Sequence, residues 1–214
     1  CIAPVVLMAV ASFTDNDVLN LYGYTYFPQK WSLEAYEFLI KQGTVISKSF
    51  LNSILVTFMG TALGIMVTVL LAYTISRKEL VGRKLIMLFV FFTMLFNGGM
   101  VPTYLMYTQI FHIKNTMWAL LFPHLLVNGF NVLLVRTFFN ENIPEVLLEA
   151  ARIDGSGEFR TFNSIVLPLM KPAIAVQAIF GFVSSWNNYF TPALILHDDK
   201  KKTLPILIAQ LRAA

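Results

Sequence analysis

Few residues in this chain of 214 could do covalent chemistry. The three histidines, His112, His124 and His197, are scattered, and no pair has metal-ligand spacing such as HExxH. No GxxxxGKS-type loop is present, so ATP hydrolysis would have to reside in another chain. Two groups of residues do carry chemistry of recognition. The first is Trp186-Asn187-Asn188-Tyr189, which supplies amides and flat aromatic faces inside an apolar stretch, where an unsatisfied polar group is costly. Asn128 and Asn131 repeat the theme in an earlier apolar stretch. These six residues are candidate lining for a polar solute path; the competing reading is hydrogen bonding between helices. The second group is the acidic, small and turn-forming run Glu149-Ala150-Ala151-Arg152 with Asp154-Gly155.

The elements that must position them are membrane helices. Charged residues make up 13% of the chain and hydrophobic residues 57%, against about 25% charged in a typical soluble domain. No Asp, Glu, Lys or Arg lies between Lys48 and Arg77, Lys84 and Lys114, Lys114 and Arg136, or Lys171 and Asp198. Each gap accommodates a helix of about 20 residues, enough to cross about 30 Å of hydrocarbon. With the apolar run Ile2 to Phe13, read as a truncated membrane helix in preference to a segment behind a lipidated Cys1, the expected count is five. The fold class is therefore all-α, a polytopic membrane bundle, and residues 1–214 read as one transmembrane domain. Open strands and a β-barrel are excluded by backbone satisfaction and by the length of the runs.

Basic loops orient the spans. Arg77-Lys78 and Arg83-Lys84 place the loop after the second span in the cytoplasm, and Ile113-Lys114 then falls outside. The next connection, 137–171, is inside. The stretch from His197 to Thr203, where Asp198-Asp199 offset Lys200-Lys201-Lys202, is outside, as is segment 14–48 with its interfacial aromatics. Clustered between spans, the basic residues serve topology and give no indication of nucleic acid. Asn97-Gly98-Gly99 and Pro102 should interrupt the third span, and Pro192 the fifth.

The inside connection has structure of its own. Asn142-Ile143-Pro144-Glu145 reads as a capped helix start. A helix over Val146 to Ile153 would put Leu147, Leu148 and Ala151 on one side and Glu149 and Arg152 on another. Gly155 should turn the chain, Ser156 should cap a second helix from Gly157 to Val166, and Leu167-Pro168 should stop it. The product is a compact knob outside the bilayer, suited to a groove in a partner protein.

Glu149-Ala150-Ala151, Gly155, Ile165 and Leu167-Pro168 resemble the EAA signature of permease subunits of binding-protein-dependent ABC importers. Trp186-Asn187-Asn188-Tyr189-Phe190 is similar to a stretch of carbohydrate-uptake permeases, and Asn97 to Tyr104 to one in permeases for plant or algal oligosaccharides. The resemblance implies a type I importer permease fold, usually of six spans, the last lying beyond this sequence. It implies a bacterial cytoplasmic membrane protein working with a second permease, two ATPase subunits and an extracytoplasmic solute-binding protein. ATP and Mg would be used by the ATPase, with no cofactor on this chain. Glu149 would face the ATPase, Ala150 and Ala151 would permit close docking, Gly155 would make the turn, and Arg152 and Asp154 would serve as ion-pair partners. An importer of another solute is the alternative. An ion-coupled carrier would need intramembrane charges that the long spans lack.

Overall fold

A computed structural model describes residues 2–198 and 201–211. Cys1, Asp199 and Lys200 lie outside the described residues, and with them the lipidation reading and two of the five residues of the outer charge cluster. The chain divides into two compact units, residues 1–50 and 51–214.

The first unit holds three short helices: α1 (Ala3–Ser12), α2 (Asn16–Tyr22) and α3 (Glu34–Lys41). Asp15 starts α2 by accepting a bond from the Asp17 N–H at 3.1 Å, and an Asp pays little penalty in that extended capping conformation. The same carboxylate pairs with Lys30, and a bridge joins Thr14 to Trp31, so the segment that carries α2 is closed at its base. Tyr22, Tyr24, Phe27 and Trp31 all stay exposed.

The second unit is organised around α4 (Gly43–Ser76), whose residues from Leu51 onward belong to it. Its 34 residues rise about 1.5 Å each, more than enough to cross a bilayer. A stripe of small residues runs down it at helical spacing: Ser53, Thr57, Gly60, Gly64, Thr68 and Ala72. Such stripes let membrane helices approach closely, because lipid supplies no hydrophobic drive to bring them together. Gly60 shows the result, since a Cβ there would sit 2.6 Å from the His124 ring. The main core joins Val69, Ala72 and Ile75 of α4 to Val132, Val135 and Phe139 of a later helix, α8 (Gly129–Asn142).

The remaining spans of this unit are broken, as expected for the third and fifth; the break in the fourth was not expected. The stretch from Lys84 to Lys114 forms α5 (Arg83–Leu95) and α6 (Met100–Leu105), continued by a π turn over Met106–Ile110, and the two parts meet at 114°. The break falls at the expected place. Asn97 Oδ1 accepts from the Gly99 N–H at 2.9 Å, and Gly99 takes φ +83°, so the chain turns back there. α7 (Trp118–Leu125) and α8 meet at 46°, with Asn128 capping α8 through the Asn131 N–H.

The fifth stretch also differs. Helix α12 (Lys171–Trp186) ends at Asn187, and α13 (Phe190–Ile195) carries Pro192 buried within it. The interruption thus lies at Asn187 to Tyr189, because the two amides cap the helix ends: Asn187 donates to the Val183 carbonyl and Asn188 accepts from the Thr191 N–H. Beyond the outer polar stretch a further apolar helix, α14 (Leu204–Leu211), packs Ile206 against Val56, Leu120 and Leu196. The sequence reading expected only an outside extension after the fifth span, with no further apolar helix.

Contacts fix which loops share a side. Arg152 bonds Glu79, and Lys78 bonds Glu145, so the loop after α4 and the 137–171 connection face the same way. At the other end Asn115 accepts from the N–H groups of His197 and Asp198, at 3.2 and 3.0 Å. Both pairings agree with the alternation read from the basic residues.

Candidate functional site

The knob on the Arg152 side is built from α9 (Glu145–Ile153) and a second helical stretch. Pro144 is the residue before α9; Asn142 instead closes α8, its amide donating to the Phe138 carbonyl. The expected cap at Asn142 is thereby corrected: the chain needs residues 143 and 144 extended to turn the corner. Helix α9 ends as the spacing requires. Gly155 sits at φ +73°, its N–H bonds the Arg152 carbonyl at 3.0 Å, and the Ser156 N–H bonds the Ala151 carbonyl at 2.9 Å. This double closure satisfies two terminal carbonyls and favours glycine, since a side chain is strained at that φ.

The second stretch runs through α10 (Glu158–Thr161), a π turn over Phe162–Val166 and α11 (Leu167–Leu169). Gly157 precedes it, so Ser156 is not its cap; the Ser156 hydroxyl accepts from Thr161 at 3.3 Å. Leu167-Pro168 does not stop it either. Pro168 enters in the first turn of α11, where a missing N–H is tolerated, and the chain bends by 75° into α12 only after Leu169.

Leu148 and Ala151 pack inward, while Val146, Leu147, Glu149, Ala150, Arg152 and Ile153 are exposed. Ala151 therefore belongs to the core side of the helix, and only Ala150 of the pair presents its small surface outward. Among the described residues Glu149 has no ion-pair partner, and neither has Asp154.

Arg152 is occupied instead. Its guanidinium donates to both oxygens of Glu79 and, at 3.1 Å, to Glu158. Glu158 also accepts from Arg77 at 3.1 Å and from the Tyr73 hydroxyl at 2.9 Å. The hydrogen bonds from Arg152 hold the Glu79 carboxyl below its ordinary value, and those to Glu79 and Glu158 raise the guanidinium further above its own. All three charges stay ionised at neutral pH and clamp α9 to the loop after α4. Each exposed pair contributes little stability, about 0–1 kcal/mol, so the clamp acts on orientation.

The polar candidates among the spans fall into two clefts. Trp186, Asn187 and Tyr189 border one of about 580 Å³ together with Leu204, Pro205 and Ile208. Asn128, Asn131 and Asn188 border another of about 510 Å³, lying between α4, α7, α8 and α12. The second contains residues the sequence reading passed over: Thr61, Gln177 and Ser184. A signal existed for Gln177, an amide in a charge-free run, but its direction could not be read from a helix apolar all round. His124 also borders this cleft. Its Nε2 lies 3.3 Å from the Ser185 hydroxyl, which lies 3.5 Å from Thr57 Oγ1. His124 is thus a packed histidine seated on Gly60.

The family model for the binding-protein-dependent transport system inner membrane component matches residues 60–212, which covers the small-residue stripe from Gly60 onward, the knob and both clefts. The chain belongs to that family. It is a permease subunit of an ABC importer, a transport subunit whose ATPase is a separate chain. Members of this family serve alongside a second permease, ATPases and a binding protein, and are inner membrane components. The chain is 38% identical to the polygalacturonan/rhamnogalacturonan transport system permease protein of Bacillus subtilis, over 99% of this chain and 72% of the relative. It is 30% identical to the trehalose/maltose transport system permease protein of Thermococcus litoralis, over 98% and 75%. In the crystal structure of a bacterial ABC transporter that imports the acidic polysaccharide alginate, one chain matches with a TM-score of 0.85 and 25% identity, over 99% of this chain and 73% of that one. The helical permease fold expected from the sequence is the fold observed.

Proposed function

We propose that this permease forms, with a second permease, the path for an oligosaccharide delivered by an extracytoplasmic binding protein in a bacterial cytoplasmic membrane. Two ATPase subunits, using ATP and Mg, drive it through α9. The observation that carries the coupling role is the exposed face of α9. Glu149, without an ion-pair partner among the described residues, stands beside exposed Val146 and Ile153, on a helix fixed at one end by Gly155 and along its length by Arg152. A small charged and apolar patch on a rigid helix is what a groove in a partner can grip and move. The cargo class is supported by the relatives, several of which are named for sugar or oligosaccharide transport, and by the amide-rich clefts.

The test is ATPase activity of the assembled complex in proteoliposomes with its binding protein. Glu149→Ala should reduce substrate-stimulated hydrolysis at least tenfold while the permease still inserts. Unchanged stimulation would remove α9 from the coupling route.

A further inference from the structure

We propose that the cleft between α4, α7, α8 and α12 is a binding site for an uncharged sugar unit, with Gln177 in its wall; this rests on the oligosaccharide reading above. Gln177 is only 3% exposed, yet its Nε2 has no hydrogen-bond partner. Thr61 Oγ1 lines the same cleft, is buried and is likewise unpartnered. A buried amide left unsatisfied in a membrane span is costly unless something else fills its bonds. Both residues border the one cleft, and a turn of either side chain would bring its unpartnered group to an occupant with hydroxyls.

The surroundings define that occupant. Asn131 adds an amide, Ser184 adds an exposed hydroxyl, and Phe130 and Phe180 expose their rings at the borders. A sugar ring has hydroxyls around its edge and C–H groups on its faces, so amides and aromatic faces match its two kinds of surface. The volume, about 510 Å³, lies within the roughly 300–1,000 Å³ typical of small-ligand sites. No Lys, Arg, Asp or Glu borders the cleft among the described residues. The titratable side chain at the border, His124, already bonds the Ser185 hydroxyl through Nε2, so a carboxylate would find no free cation there, which favours an uncharged unit.

The experiment uses the assembled importer with its binding protein. Cys1 is the only cysteine of these 214 residues, so Ser184→Cys in an importer otherwise cleared of cysteines gives a single reporter in the cleft. A membrane-impermeant methanethiosulfonate should label it, and the neutral trisaccharides maltotriose or xylotriose should protect it. In uptake assays Gln177→Leu, similar in volume, should raise the half-saturating concentration of the protecting sugar at least tenfold, with a smaller change in maximal rate. No labelling in any nucleotide state would show a groove sealed by protein or lipid and overturn the site. Protection by trigalacturonate alone would overturn the uncharged class while leaving the oligosaccharide reading intact. Protection by amino acids and by no saccharide would overturn both.

Discussion

Arg152 and Glu79 are 73 residues apart in sequence and share a two-pronged bond, guanidinium to carboxylate, across the same face of the protein. Arg152 lies on the helix proposed to meet the ATPase, and Glu79 on the loop that closes α4. A bidentate pair fixes an angle as well as a distance. A push on α9 is therefore delivered to the end of the longest span.

Glu79→Arg should uncouple transport from hydrolysis. We expect substrate-stimulated ATPase activity to fall about three- to tenfold, with partial recovery in the swapped pair Glu79→Arg with Arg152→Glu. Thermal stability should change little, because exposed pairs contribute about 0–1 kcal/mol. A large loss of melting temperature in Glu79→Arg, equal to the loss of activity, would contradict an orienting role.

The pair also has a defined acid limit. Binding to Arg152 lowers the Glu79 carboxyl below its ordinary 4.5. A carboxyl with a depressed folded value contributes in full above the unfolded value and loses that contribution as pH falls through the folded one. Hydrogen exchange of the Leu148 to Ile153 amides should thus be insensitive to this pair from pH 8 to about 5 and should rise only in more acidic solution. Glu79→Gln should abolish that acid step.

Gly155 should tolerate Asn better than Val. A side chain in the left-handed region costs about 1–2 kcal/mol, and Asn is the residue that visits it most readily. ATPase coupling measured in Gly155→Asn should stay within about threefold of the parent, whereas Gly155→Val should lose tenfold or more.

Gly60 and His124 should behave as one unit. A Cβ at residue 60 would stand 2.6 Å from the imidazole, and overpacking of this kind costs about 1–3 kcal/mol. Gly60→Ala should lower the melting temperature of the detergent-solubilised protein, and His124→Ala in the same chain should restore part of it. Additive losses in the double variant would show that the two positions do not share that space.

What the sequence disclosed follows from what is local. Gly155 and the Asn97-Gly99 break were legible because φ and side-chain-to-backbone bonds depend on neighbours within a few residues. Span positions were legible because charge is excluded from hydrocarbon over a fixed length. The partner of Arg152 was not, since nothing near residue 152 encodes Glu79. Gln177 was visible as an odd amide, but a helix that faces lipid and protein with equally apolar residues does not reveal which side an amide takes. Asn187 and Asn188 were read as path lining, whereas their bonds show a second duty, ending α12 and starting α13. Three of the six expected path residues share a cleft with Gln177, and three border a different one.

The charge-free border of the Gln177 cleft has an electrical consequence. Moving one elementary charge through a membrane potential involves about 2.3 kcal/mol per 100 mV. Among the described residues no Lys, Arg, Asp or Glu stands in these walls, so a motion of the walls would do no work against the voltage and should proceed alike in an energised and a depolarised cell.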